Sequence, residues 1–372
     1  MSKKGKAEQS SSGLFFQNGK KGFELQFHWI FILIAGGLIL AFFFSVATKQ
    51  KSISQEKLEL TLATDIENIL AGAIASRGTA QELPVPPQGM AFECTEGCEC
   101  RFRIERAAKN FGDKPIFAPA FLKDKDLTVW ALEMKMPYRV TNFLYITNPN
   151  IKYYFVYNEE SKQFLEQITK GIPPLIQYEK ITQQQMTSVK EEGYQHTKFI
   201  LLNTEPTTLH DSFKKTGTSA IKIDDKGITF YEKDGTKFKK VKYLSYAGMP
   251  TLYAAIFAED YTMYECGLKT AFRKLGYLGQ LYGERTKELE IQANNPLCTY
   301  GTSECKGNSE EICRTTPLPG ATVIELLCQQ HHCGKALANK LDQAYLANLN
   351  TIKELLDSAN RNYLQQSCPE LF

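Results

Sequence analysis

The 18 residues from Trp29 to Val46, WIFILIAGGLILAFFFSV, hold no charge and a single polar side chain, Ser45. As a helix the run is roughly 27 Å long, close to the hydrocarbon thickness of a bilayer, so a transmembrane helix is expected over residues 23–48. Lys3, Lys4, Lys6, Lys20 and Lys21 precede it, whereas Lys49, Lys51 and Lys57 come after it, diluted by Glu56, Glu59 and Asp65. The positive-inside bias then places the N-terminus in the cytoplasm and residues 52–372 outside it, at the cell membrane. Residues 1–22 are mostly Ser, Lys, Gly and Gln with little to bury, and read as a disordered cytoplasmic leader.

Three fates for the apolar run are compatible with its flanks. Ser45-Val46-Ala47 fits a small-x-small signal cleavage site, but a secretory h-region is shorter than this one. An uncleaved signal-anchor needs nothing further. In the third, KKGFEL at 20–25 acts as a pilin-type leader site cut between Gly22 and Phe23, although Glu24 is then second after the cut rather than fifth. Retention is favoured by the residues on the C-terminal side of the span. Leu58, Leu62, Ile66, Ile69, Leu70, Ala73 and Ile74 recur every three or four residues, an amphipathic stalk helix over 49–78 that continues the span. Gly78 and PVPP at 84–87 are expected to end it.

Residues 1–51 carry 7 of the 44 basic side chains and 2 of the 41 acidic ones, so residues 52–372 are slightly acidic. That is no electrostatic footprint for nucleic acid. With 43% apolar residues in 372 the chain has ample core, and the expected partners are the bilayer, through residues 23–48, and either copies of itself or other surface proteins.

Ten cysteines, Cys94, Cys98, Cys100, Cys266, Cys298, Cys305, Cys313, Cys328, Cys333 and Cys368, cluster in polar loops. Outside the cytoplasm they read as disulfides whose pairing is not fixed by sequence. The alternative is zinc at CQQHHC, with Cys328, His331, His332 and Cys333 as ligands, although this spacing matches no usual zinc pattern.

Beyond the linker the periodicity becomes alternating. MAFEC and CRFRIE suggest a hairpin, and YYFVY, KFILLN and SAIKID suggest strands. SKQFLEQITKGI and TQQQMTSVKEEG between them suggest helices, the second capped by Thr182. The pattern is βαβ with a partly parallel sheet, succeeded by an edge hairpin around Asp234-Gly235. From Met249 the chain reads as helical, with one face at Leu268, Phe272, Leu275, Leu278 and Tyr282 and another running from Leu337 and Leu341 through Tyr345, Ile352 and Leu356 to Tyr363. The Cys-rich stretch 293–320 separates them. The fold class expected is thus an α/β (α+β) ectodomain over 79–250 on a long N-terminal helix, with a helical, disulfide-rich region over 251–372.

FELQFHWIFILIAGGLILAFFF, MPYRVTNFLYITN and TLYAAIFAEDYTMYECGLKTAFRKLGYLGQLY together resemble a group of uncharacterised, membrane-anchored surface proteins of small-genome archaea with a pilin-like N-terminus. The resemblance runs over most of residues 23–290 and implies the topology and fold; it carries no catalytic residues.

No GxSxG, HExxH, GxxxxGK[ST] or GxGxxG occurs, and no cofactor is implied. Asp124/Asp126 and Asp224/Asp225 read as solvated turns. His196 and His210 flank KFILLNTEPTT, near a strand end where α/β sheets place ligands. The tyrosines of IKYYFVYN and VKYLSY suit either a sugar- or peptide-binding surface or ordinary strand packing. A structural or binding role at the cell surface, including that of a pilin-like subunit, is the expectation. The alternatives are an envelope-acting hydrolase or a sensor ectodomain.

Overall fold

The computed structural model describes residues 21–76, 78–85, 89–215, 217–292, 297–301 and 305–372. The leader residues 1–20 and Pro86-Pro87 of the expected linker lie outside these, as do the side chains of Gly22 and Phe23. Packing divides the chain into Met1–Leu58 and Glu59–Phe372.

In the first unit, helix α1 (Lys21–Ala75) holds the apolar run. Trp29, Phe31, Leu33, Leu38, Leu40 and Phe44 are each more than half exposed. Among the described residues it is the one helix long and apolar enough to cross a membrane.

In the second unit α1 continues from Glu59. Ala63, Ile66, Leu70 and Ala73 are buried in the main core, Asn142 donates to the Ile74 carbonyl at 2.5 Å, and Lys109 pairs with Glu67 at 3.4 Å. The buried stripe is narrower than the sequence pattern, since Leu58 and Ile69 face outward.

The strands come in chain order: β1 (Ala80–Pro84), β2 (Met90–Cys94), β3 (Cys100–Ile104), β4 (Ala107–Asn110), β5 (Ile116–Phe117), β6 (Phe121–Leu122), β7 (Asp126–Lys135), β8 (Arg139–Thr147) and β9 (Ile151–Tyr157). Helix α2 (Lys162–Gly171) leads to β10 (Tyr178–Thr182), β11 (His196–Leu202), β12 (Gly217–Ile223), β13 (Ile228–Asp234) and β14 (Lys237–Leu244). The remaining helices are α3 (Gly248–Phe257), α4 (Tyr261–Gln292), α5 (Ser309–Arg314), α6 (Val323–Asn339) and α7 (Gln343–Gln365). Three sheets result, ordered β1-β7-β8-β5, β10-β9-β11-β12-β13-β14 and β4-β3-β2-β6.

The six-stranded sheet is the α/β core. β10, β9, β11 and β12 run parallel, and β13 and β14 add antiparallel strands ending at an edge. Parallel strands are covered on both faces and therefore read as continuous apolar runs. Tyr153, Phe155, Ile200, Leu202, Ile221 and Ile223 join the main core, whereas Tyr154, Val156, Phe199, Leu201 and Ala220 form a second one with Met186, Leu209 and Phe213. Tyr153 and Tyr154 are thus core residues, not a binding surface.

Two helical expectations are corrected. TQQQMTSVKEEG holds only a 3₁₀ turn at Gln185–Thr187, and Thr182 ends β10, where its N–H donates to Gln185 Oε1 at 2.8 Å, instead of capping a helix. The Leu337–Tyr363 face is two helices. α6 stops at Asn339, and Asp342 caps α7 by accepting from Ala344 N.

α4 and α6 cross with their backbones in contact. A Cβ on Gly334 would lie 2.6 Å from Gly276 Cα, and one on Gly279 would lie 2.9 Å from the His331 nitrogen, so only hydrogen fits at these positions. Tyr138 stacks on Tyr282 at 4.2 Å, and its hydroxyl donates to Gln330 Oε1 at 2.5 Å. The turn between β7 and β8 thus packs on α4 and α6, and residues of the strands and of the C-terminal helices belong to one core.

All ten cysteines pair: Cys94–Cys100, Cys98–Cys266, Cys298–Cys368, Cys305–Cys328 and Cys313–Cys333.

Candidate functional site

Two cavities of ligand size concentrate polar chemistry, and both lie in the second unit. The first, about 500 Å³, opens beside the starts of β11 and β12 and is lined by His196, Ser219, Phe230, Glu232, Glu259, Asp260 and Tyr261 among others. Parallel register sets His196 against Gly217 and Lys198 against Ser219, so all four positions share the face that looks toward α3. A Cβ on Gly217 would sit 3.0 Å from His196 Nδ1; the missing side chain makes room for the imidazole. His196 Nε2 and Ser219 Oγ are 2.9 Å apart.

Lys198 lies deeper, 3% exposed. Its ammonium donates to the carbonyls of Ala255, at 3.0 Å, and Ala258. These close α3, a helix buried over its whole last two turns, where carbonyls lack intrahelical partners and the dipole is negative. Burial lowers the Lys198 pKa to about 8, partly opposed by the charges of Glu259 and Asp260. Burial also holds the His196 imidazole below its ordinary value, against attraction from Glu259. Glu259 accepts from Ala120 N at 2.9 Å, and Asp260 from Met263 N at 2.8 Å.

A neutral imidazole in reach of a hydroxyl is the first half of a nucleophile–base arrangement. Among the described residues no carboxylate hydrogen-bonds the other ring nitrogen. The cavity is lined by a donor–acceptor pair, His196 and Ser219, and by the carboxylates of Glu232, Glu259 and Asp260, a setting for binding a small polar group.

The Lys198 ammonium makes a measurable prediction. An unfolded lysine titrates near 10.5 and the folded one near 8. Between those values the unfolded chain holds a proton that the folded chain has lost, so this group adds stability as pH rises, at about 1.4 kcal/mol per unit. Below pH 8 both states are protonated and the slope vanishes. Buried tyrosines such as Tyr253, pushed up to about 12 by burial, oppose the trend only above pH 10. From pH 8 to 10 the wild type should therefore gain about 2 to 3 kcal/mol relative to Lys198→Met in denaturant unfolding. Parallel stability–pH curves would show that Lys198 does not titrate in this window.

The second cavity, about 490 Å³, runs along α4 and α6 and is lined by Gly279, Gly283, Lys287, Cys305, Lys306, Cys328, His331 and Lys335 among others. Cys328 and His331 line it, but the quartet Cys328, His331, His332 and Cys333 does not converge on one point. Four near-consecutive helical residues spread around the axis at 100° each. Cys333 turns to Cys313, Cys328 to Cys305, and His331 Nδ1 to the Gly276 carbonyl at 2.6 Å. Cys328 and His332, four apart, do share a face. With Cys305 they place two sulfurs and a ring nitrogen within 4.8 Å of one another. Cys305 lies far away in sequence, and only the i,i+4 spacing of Cys328 and His332 signalled the cluster.

The other candidates separate. His196 opens β11, whereas His210 lies beyond its far end and contacts Ser212 Oγ at 3.0 Å. Asp124 accepts from Asn150 Nδ2 at 3.0 Å. Asp224 accepts from the N–H groups of Lys226 and Gly227 in a turn.

No protein-family model matches the chain, and neither a curated protein nor a solved structure does.

Proposed function

We propose that this is a single-pass membrane protein whose disulfide-bridged α/β part works outside the cytoplasm, in a structural or binding role at the cell surface. One observation carries the reading. Every cysteine on the C-terminal side of the apolar run is bridged, five pairs in all, and such a set is characteristic of proteins that work in an oxidising compartment. Residues 23–48 hold the bilayer, and the lysines before Phe23 keep the N-terminus inside. The first cavity is the binding element of this reading. A pilin-like subunit, in which Phe23 would head the helix after cleavage at Gly22, is the assembled form that a retained long helix suits.

External protease on intact cells tests the topology. The expected result is loss of the chain beyond about residue 52, with a small protected N-terminal fragment. Digestion that begins only after lysis would overturn the proposal.

A further inference from the structure

The CQQHHC segment carries chemistry that membrane anchoring leaves unused. His332 is 4% exposed. Its Nδ1 lies 3.0 Å from Ser309 Oγ, while its Nε2 has no hydrogen-bond partner. A buried ring nitrogen without a partner has given up its hydrogen bond to water and gained none in return. When Nδ1–H donates to Ser309, the lone pair resides on Nε2, the arrangement in which a supporting oxygen fixes a metal-binding histidine. One ring nitrogen of His332 and the sulfurs of Cys305 and Cys328 lie within 4.8 Å of one another.

We propose that Cys305, Cys328 and His332 form a zinc site that exists when the Cys305–Cys328 disulfide is reduced. Of the ten cysteines Cys305 is the exposed one, and it stands in the wall of an open cavity where a small dithiol can reach it. Cys298–Cys368 and Cys313–Cys333 are buried at both ends, and Cys98–Cys266 at one. Lys287, Lys306 and Lys335 line the same cavity, and positive charge favours thiolates. The chemistry balances. A dithiol gives two electrons and two protons to the disulfide and leaves as its own cyclic disulfide, generating two thiols. Zinc then displaces one proton from each thiol and takes the Nε2 lone pair. Two thiolates and an imidazole are a borderline-soft donor set suited to zinc, with the fourth position left to water.

The test takes the full chain in detergent micelles, treats it with increasing dithiothreitol and adds zinc alone. Alkylation mapped by mass spectrometry reports which bridge opens, and elemental analysis counts the metal. Cys305 and Cys328 should become alkylatable first, and one zinc per chain should bind at that stage and none before it. Cobalt in place of zinc should show a near-ultraviolet thiolate charge-transfer band. His332→Ala should weaken binding at least tenfold, and Ser309→Ala, which keeps all three ligands, about tenfold. Zinc binding by the oxidised protein, no zinc after the bridge opens, a different bridge opening first and taking the metal, or unchanged affinity in both variants would each overturn the proposal. The outcome is independent of the membrane topology.

Discussion

Replacing Cys98 and Cys266 together by alanine should destabilise the unit Glu59–Phe372 by about 5 kcal/mol, whereas the same replacement of Cys94 and Cys100 should remove only about 2, from the chain entropy of the loops each closes. The bridges differ in reach, with 168 residues between the first pair and 6 between the second. None of the other four bridges shortens the path from Cys98 to Cys266, so the unfolded chain gains the whole of that freedom. The native consequence is also unequal. Cys94 and Cys100 are already cross-strand partners in β2 and β3, but Cys98 sits in the turn between them and ties the small sheet to α4. Guanidinium unfolding of the two double variants, each read against wild type, measures both losses. Equal losses, or a loss below about 1 kcal/mol for Cys98/Cys266, would show that the long bridge does not constrain the unfolded chain.

The parts of the fold legible in the sequence are those where one physical signal dominates. KFILL and YYFVY are continuous apolar runs, as strands covered on both faces must be, and they became β11 and β9. MAFEC and CRFRIE alternate about a turn and became β2 and β3. The apolar run and its amphipathic continuation gave one helix. YEKIT escaped because β10 is an edge strand with only Ile181 buried, so its composition looks like loop. In TQQQMTSVKEEG, Met186 is buried and only Val189 packs partly beside it, too little to hold a helix against a single-turn alternative. The break between α6 and α7 was hidden because Leu337, Leu341 and Tyr345 keep helical spacing straight through it, and only Asp342, a good N-cap, marks the restart.

The cavities were less legible because they depend on contacts distant in sequence. Two signals were nevertheless present. Lys198 heads KFILL in register with the inward-facing Ile200 and Leu202, and a lysine buried there needs carbonyl or carboxylate partners; the end of α3 supplies them 57 and 60 residues later. GYLGQLYG places Gly276, Gly279 and Gly283 at three- and four-residue intervals, a stripe with no side chains along which another helix can lie close. That crossing presents α6 to the second cavity. Nothing in the sequence indicated that Cys305 would be the sulfur to meet Cys328.

The largest expected effect belongs to the apolar run itself. Gly37→Arg and Leu38→Arg together place two guanidinium groups at the middle of Trp29–Val46, where each costs about 2.5 to 3.5 kcal/mol on the insertion scale, about 5 to 7 in all. That is a shift of more than a thousandfold in the insertion equilibrium, and the double variant should leave the carbonate-washed membrane fraction. The side chains cannot avoid the cost by snorkelling as they would near a helix end, because each interface is about nine residues away, roughly 13 Å along the axis. Leu58→Arg provides the contrast. It lies on the same helix, twelve residues past Val46, and is 68% exposed, so its substitution should leave the protein in the membrane. Retention of the Gly37→Arg/Leu38→Arg protein in washed membranes would mean that the run does not cross a bilayer. Release of the Leu58→Arg protein as well would mean that the helix, not its apolar length, governs the association.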